Sequence, residues 1–185
     1  MGQESYHFLM FDKRNQAIVA PDEYGDNILD IVGGFVVGNA FLETAEIISS
    51  IPNVGTYTPL DLHRYQSTRC YYTLDDGSCI IELEMNCGEL AEQVEEISIR
   101  FAVSNPIETY EKTIGLCKLL CEKLNVDVYD MQLKQTLDFL NEIQKKQTQN
   151  SFLEKRRQFI SDDTISVPLH CGKAFWDWIR DQNKS

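Results

Sequence analysis

Along 79–85 (CIIELEM) apolar and acidic residues alternate, with Ile81, Leu83 and Met85 on one side of an extended chain and Glu82 and Glu84 on the other. A strand with one dry and one wet face carries this period of two. The preceding run, 68–74 (TRCYYTL), is rich in aromatic and β-branched residues. Asp75-Asp76-Gly77-Ser78 between the two runs predicts a hairpin, because Asp-Gly accepts positive φ. Residues 96–103 predict a third strand, with Ile97, Ile99, Phe101 and Val103 on one face and Ser98, Arg100 and Ala102 on the other. Near the start, 5–11 (SYHFLMF) reads as a strand and 16–20 as its hairpin partner across a polar turn. The segment 21–30 reads as an acidic loop or short helix, and Gly33-Gly34 inside an apolar run predicts a bend or a close backbone contact.

Helical spacing appears in four places. Asn39 is a suitable cap for a helix over 40–50, with Leu42, Ala45 and Ile48 as its stripe and Pro52 as its stop. Ser104-Asn105-Pro106 predicts the start of a helix over 106–124, with Tyr110, Ile114, Cys117, Leu120, Cys121 and Leu124 buried. A strand over 126–131 then completes a βαβ unit within 97–131, with its two strands parallel. A helix-rich stretch over 133–160 carries a polar break at 145–150 and the basic triplet Lys155-Arg156-Arg157. Residues 164–169 predict a last strand and 173–181 a terminal helix. Residues 52–67, rich in Pro, Gly and Thr, read as a long loop. The expectation is a single α+β domain with a mixed, mainly antiparallel sheet. Helices 40–50 and 106–124 cover one face and leave the acidic strand face wet.

Charge sharpens this picture. The chain of 185 residues has a net charge of −12. Residues 1–104 hold 5 Lys/Arg against 17 Asp/Glu, while 105–185 balance at 12 of each. Phosphate backbones repel such a first half, which argues against nucleic acid and in favour of a basic protein partner. No apolar run is long enough to span a bilayer, and the first residues show neither a basic region nor an apolar signal core, so a cytoplasmic protein is expected. The six cysteines contain no CxxC pair, and Cys117 and Cys121 fall one helical turn apart; six reduced thiols are expected.

The chemistry-bearing candidates are few. Gly33-Gly34-x-x-x-Gly38 lacks the ending and spacing of a phosphate loop. His170-Cys171 places a base beside a thiol, but side chains of adjacent residues point apart. His7, His63 and His170 have no metal-ligand spacing, so no metal, cofactor or catalytic residue is assigned. From Cys70 to Ile99 there is no Lys or Arg, yet Asp75, Asp76, Glu82, Glu84, Glu89, Glu92, Glu95 and Glu96 all fall there. Such a cluster repels itself unless a cation or a basic partner compensates. These acids, with Trp176, which lies off the Phe175/Trp178/Ile179 stripe, are the candidate partner-binding residues.

Residues 97–132 (ISIRFAVSNPIETYEKTIGLCKLLCEKLNVDVYDMQ) resemble strand–helix–strand segments of bacterial immunity proteins that neutralise polymorphic toxins. The resemblance implies a small, acidic, cytosolic α/β or α+β protein without enzymatic activity that binds a basic toxin domain. It transfers no functional residue. The expected function is therefore stoichiometric inhibition of a basic toxin or effector by an acidic surface. The alternatives are a small enzyme with its site in loop 52–67 near His63, Arg64 and Tyr65, and a non-catalytic regulatory subunit.

Overall fold

The computed structural model describes residues 2–38, 41–58, 70–87, 93–161 and 166–184. Among the described residues, nine strands and four helices follow one another as β1 (Ser5–Asp12), β2 (Gln16–Pro21), β3 (Asn27–Val32), α1 (Phe41–Ser49), β4 (Val54–Thr56), β5 (Tyr71–Asp75), β6 (Ile80–Cys87), β7 (Val94–Ala102), α2 (Thr109–Lys123), β8 (Val126–Asp130), β9 (Gln135–Thr136), α3 (Glu142–Arg157) and α4 (Lys173–Gln182). Seven strands form one sheet in the order β4-β5-β6-β7-β1-β8-β9, and β2 and β3 form a separate two-stranded ribbon. The protein is α+β, and each ladder among the described strands is antiparallel.

The alternating strands bury one face together. Tyr6, Phe8 and Met10 of β1, Ile81, Leu83 and Met85 of β6, Ile97, Ile99 and Phe101 of β7, and Val126 and Val128 of β8 belong to one apolar cluster. Phe41 and Ile48 of α1, Ile114, Cys117 and Leu120 of α2, Phe152 of α3 and Phe175 of α4 join it. Each large side chain so buried contributes about 1.5–3 kcal/mol of transfer free energy, which is what holds the helices to the sheet.

β7, α2 and β8 make the expected βαβ unit in one sheet. The two strands run parallel to each other because β1 lies between them, antiparallel to both. The place of β1 also corrects the expected N-terminal hairpin. β1 is buried on both sides and takes a central position, whereas 16–20 pairs with β3, which replaces the acidic loop or helix expected over 21–30. The cause is burial: β1 carries apolar side chains on both faces and so takes a central place in the sheet. Asn15 is buried and its side chain clamps the base of the ribbon, donating to the Phe35 carbonyl (2.6 Å) and accepting from the Phe35 amide (3.0 Å). Gly33 makes the close approach foreseen for the diglycine: its φ is +135°, and an added Cβ would lie 2.4 Å from Asn15 Oδ1. Gly33→Ala is expected to cost about 1–3 kcal/mol through backbone strain and the displaced clamp. An unchanged urea midpoint would show that the ribbon is not held there.

Other boundaries move for identifiable reasons. Val54–Thr56 of the expected loop pairs with β5, while 59–69 lie outside the described residues, as do Asn39, Ala40, 164 and 165. α2 begins at Thr109 rather than at Pro106, because Asn105 is not a cap. It is buried, accepts from the Ile80 amide (2.9 Å) and donates to the Ala102 and Leu169 carbonyls. α3 runs through the expected break at 145–150. Asn141 caps it by accepting from the Ile143 and Gln144 amides, and Thr148, Phe152 and Arg156, four apart, form its buried stripe. Residues 166–170 are not a strand.

Candidate functional site

The second face of the sheet is built from the alternate residues of the same strands. Register aligns them in cross-strand rows: Thr73, Glu82, Arg100 and His7 in one, Tyr71, Glu84, Ser98, Leu9 and Tyr129 in the next, and Asn86, Glu96, Phe11 and Asp127 in a third. This face divides in two. Around Leu9, Phe11 and Tyr129 it is apolar and is covered by Ala17, Leu29 and Ile31 of the ribbon. Around Glu82 and Arg100 it is polar and is covered by Tyr57 and the segment that carries His170 and Cys171.

The expectation of a wet acidic strand face is therefore corrected at its centre. Glu82 is 7% exposed. Its Oε2 accepts from Arg100 Nε at 2.7 Å, and its Oε1 meets His170 Nδ1 at 2.9 Å and accepts from the Cys171 amide at 3.1 Å. Burial pushes the carboxyl up, but the His170 hydrogen bond and the Arg100 charge outweigh it and hold Glu82 below its ordinary value. The His170 ring stacks on Tyr57 with centroids 4.3 Å apart. Glu82 thus joins the sheet to the C-terminal segment and presents no free carboxylate to a partner.

The other predicted acids are placed differently. Asp75 accepts from the Gly77 amide, and Asp76 accepts from the Ser78 and Cys79 amides and pairs with Lys112 of α2, so both shape the hairpin they sit on. Lys112, and the turn hydrogen bonds after it, hold Asp76 well below the carboxylate range. Glu84 is half-buried; burial first, and Glu84 beside it, push the Tyr71 phenol up to about 12. Glu96 is half-buried and accepts from Asn86 at 2.5 Å; burial, with Glu95 and Glu84 nearby, holds it above its ordinary value despite that bond. Glu95 is exposed. Glu89 and Glu92 lie outside the described residues. Trp176 is 44% exposed and edge-on to Phe159 and Phe175.

Little space adjoins Glu82 on this face. The cavity bounded by Tyr57, Tyr71, Glu82, Glu84, Ser98 and Arg100 has a volume of about 10 Å³, room for about one water. The Cys171 thiol is buried, and burial, with Glu82 beside it, pushes it well up, so it stays protonated. His63, Arg64 and Tyr65 lie outside the described residues. Among the described residues no group of three His, Cys, Asp or Glu side chains could hold a metal ion, and no helix is long and apolar enough to cross a membrane.

The feature that sequence patterning missed is the ribbon. Its inner residues Ala17, Leu29 and Ile31 cover the sheet, yet Ile18, Val19 and Ile28 are large apolar side chains left open, and Tyr24 at the tip is 82% exposed. Between Asn15 and His63 there is no Lys or Arg, while Asp22, Glu23, Asp26 and Asp30 lie on the ribbon and its turn. Asp22 is spent on that turn, accepting from the Tyr24 and Asp26 amides. Glu23, Asp26 and Asp30 are exposed. Alternation over 16–20 and 27–32 was the available signal, obscured because both faces of the ribbon carry apolar residues.

Comparison with known proteins finds no matching family model, no matching curated protein and no matching solved structure.

Proposed function

We propose that this protein is a non-catalytic, stoichiometric inhibitor that binds a basic toxin or effector domain, with the ribbon β2–β3 as its principal contact. The observation that carries this reading is the exposed apolar ribbon rimmed by acids with no cation of its own. Ile18 and Ile28 lie open on one face of the ribbon, the face that also carries Asp30, and large apolar side chains left open beside acidic ones mark a partner surface. Covering these side chains supplies affinity, while the acids steer a positively charged partner and fix its register. Asp75, Glu84, Glu95, Glu96 and Trp176 remain candidate contacts. The enzymatic alternative has its site near His63, Arg64 and Tyr65, outside the described residues, while the buried Glu82 is paired with Arg100 and His170 and so offers no free carboxylate.

The test is affinity capture with the intact chain, identification of what binds, and measurement of its dissociation constant. The captured protein is expected to be basic, and Glu23→Lys/Asp30→Lys is expected to weaken binding about tenfold at low salt and much less at 0.5 M. Tyr24→Ala/Ile28→Ser is expected to weaken binding at both salt concentrations. A partner that is acidic, or that ignores both double variants, overturns the reading.

A further inference from the structure

We infer that Cys70 and Cys87 form a redox-responsive pair, free as thiols in the resting protein and closing to a disulfide when a low-molecular-weight disulfide such as glutathione disulfide accumulates. Their sulfurs stand 3.5 Å apart, already in contact, where Cys70 enters β5 and Cys87 ends the adjacent β6. A bridge needs the sulfurs to close to about 2.05 Å, a shift that side-chain rotation and a small backbone adjustment can supply. Cys87 also sits at a break in the regular pairing, where the ladder between β6 and β7 shifts register at Asn86/Cys87. The other thiols are differently placed. Cys79, Cys117 and Cys171 are buried, and Cys117 and Cys121 stand one turn apart on α2, which is poor geometry for bridging.

Access sets the order of events. Cys70 is buried and Cys87 half-buried, so Cys87 meets the oxidant first. Its thiolate attacks one sulfur of glutathione disulfide, that S–S bond breaks, and one glutathione leaves as thiolate and takes up a proton. Cys70 then gives its proton to solvent and attacks Cys87 Sγ, forming the Cys70–Cys87 bond and expelling the second glutathione. Two protein thiols are oxidised and one glutathione disulfide is reduced to two glutathiones. The hydrogen bond with Cys70, followed by burial, holds the Cys87 thiol far above its ordinary value, so the exchange is slow at neutral pH and faster in mild alkali. The pair would thus answer sustained oxidation rather than a brief pulse. Its position gives closure a consequence: Cys70 directly follows 59–69 and Cys87 directly precedes 88–92, so the bond ties together the two points where those segments join the sheet.

The test equilibrates the intact protein in glutathione buffers from fully reduced to fully oxidised, blocks free thiols after unfolding, and maps peptides without reductant. Six free thiols are expected in the reduced buffer and four in the oxidised one, with one peptide pair linking Cys70 to Cys87, reversed by dithiothreitol. The oxidised form is expected to melt roughly 5 °C higher, a rise that Cys87→Ser abolishes. Six free thiols in every buffer overturn the inference. So does a glutathione adduct that persists on Cys87, which would show that Cys70 cannot resolve it, or a linked pair other than these two.

Discussion

Replacing Arg156 with methionine is expected to lower the free energy of unfolding by about 3 kcal/mol, seen as a lower urea midpoint at unchanged slope. Arg156 is fully buried in α3, with 0% exposure, among Phe152 and the other side chains that hold the helix to the sheet. Its guanidinium donates from Nη1 to the carbonyls of Val103 and Asn105, the latter at 2.5 Å, in the connection between β7 and α2. Hydrogen bonds from a charged donor contribute about 1.5–3 kcal/mol each, and a buried carbonyl left without its donor costs about 1–3 kcal/mol. Methionine fills much of the volume, so the loss reports the hydrogen bonds rather than a cavity. The neighbouring exposed Arg157→Met should change stability by less than about 0.5 kcal/mol. Equal effects at the two positions would show that α3 is not anchored through Arg156.

The triplet Lys155-Arg156-Arg157 gave no hint of this, because its members look alike and only their place on the helix separates them. The spacing from Thr148 through Phe152 to Arg156 was the available sign, masked by the polar run over 145–150. The alternating strands, by contrast, were legible. Each of 5–11, 79–85 and 96–103 carries its inward residues at period two, and burial of one face then selects a single register. What local patterning could not supply was strand order. Nothing in 5–20 says that β1 pairs at long range with β7 and β8 while 16–20 pairs with β3, because that choice belongs to the burial of β1 on both faces.

The same gap explains the acidic stretch. The absence of Lys and Arg from Cys70 to Ile99 is real, but cations from outside the stretch compensate it: Lys112 of α2 at Asp76, and Arg100, one residue beyond the stretch and directly opposite Glu82 in the ladder. Once Ser98 and Arg100 are placed on the outward face of β7, the pairing follows from register alone. The contribution of His170, 88 residues away, depends on how the C-terminal segment crosses that face, and no periodicity encodes it. Glu82 was thus legible as a charged strand residue but not as a buried one. Reversing it to Lys would set two cations together in a closed site, so the test of acidic docking moves to the exposed Glu23 and Asp30.

Acidification from pH 6.5 to about 4 is expected to destabilise the protein by as much as about 3 kcal/mol through His7 alone. His7 lies on the row with Arg100 and Glu82, and its Nε2 meets Ser98 Oγ at 2.6 Å. Its Nδ1 is shut off from solvent and has no hydrogen-bond partner among the described residues. A neutral ring can satisfy this site through Nε2 alone, but protonation adds a donor where no acceptor faces it. Burial first, and then the Arg100 charge, hold His7 down at about 4 against an ordinary value of 6.5. Between those values the unfolded chain binds a proton that the folded protein refuses, so the contribution is fully present above pH 6.5 and falls away as pH drops toward 4. At about 1.36 kcal/mol per unit, the 2.5-unit gap sets the upper limit. Glu82, held below its ordinary value of 4.5, keeps its contribution above that pH and loses it below, so midpoints at pH 5 and above report His7 without it. Urea midpoints at pH 7, 6 and 5 for wild type and His7→Gln decide the matter. Glutamine places an amide near the Nε2 position and cannot titrate, so its midpoint should be flatter over this range. A variant that loses stability with acid as steeply as wild type would assign the proton to another group.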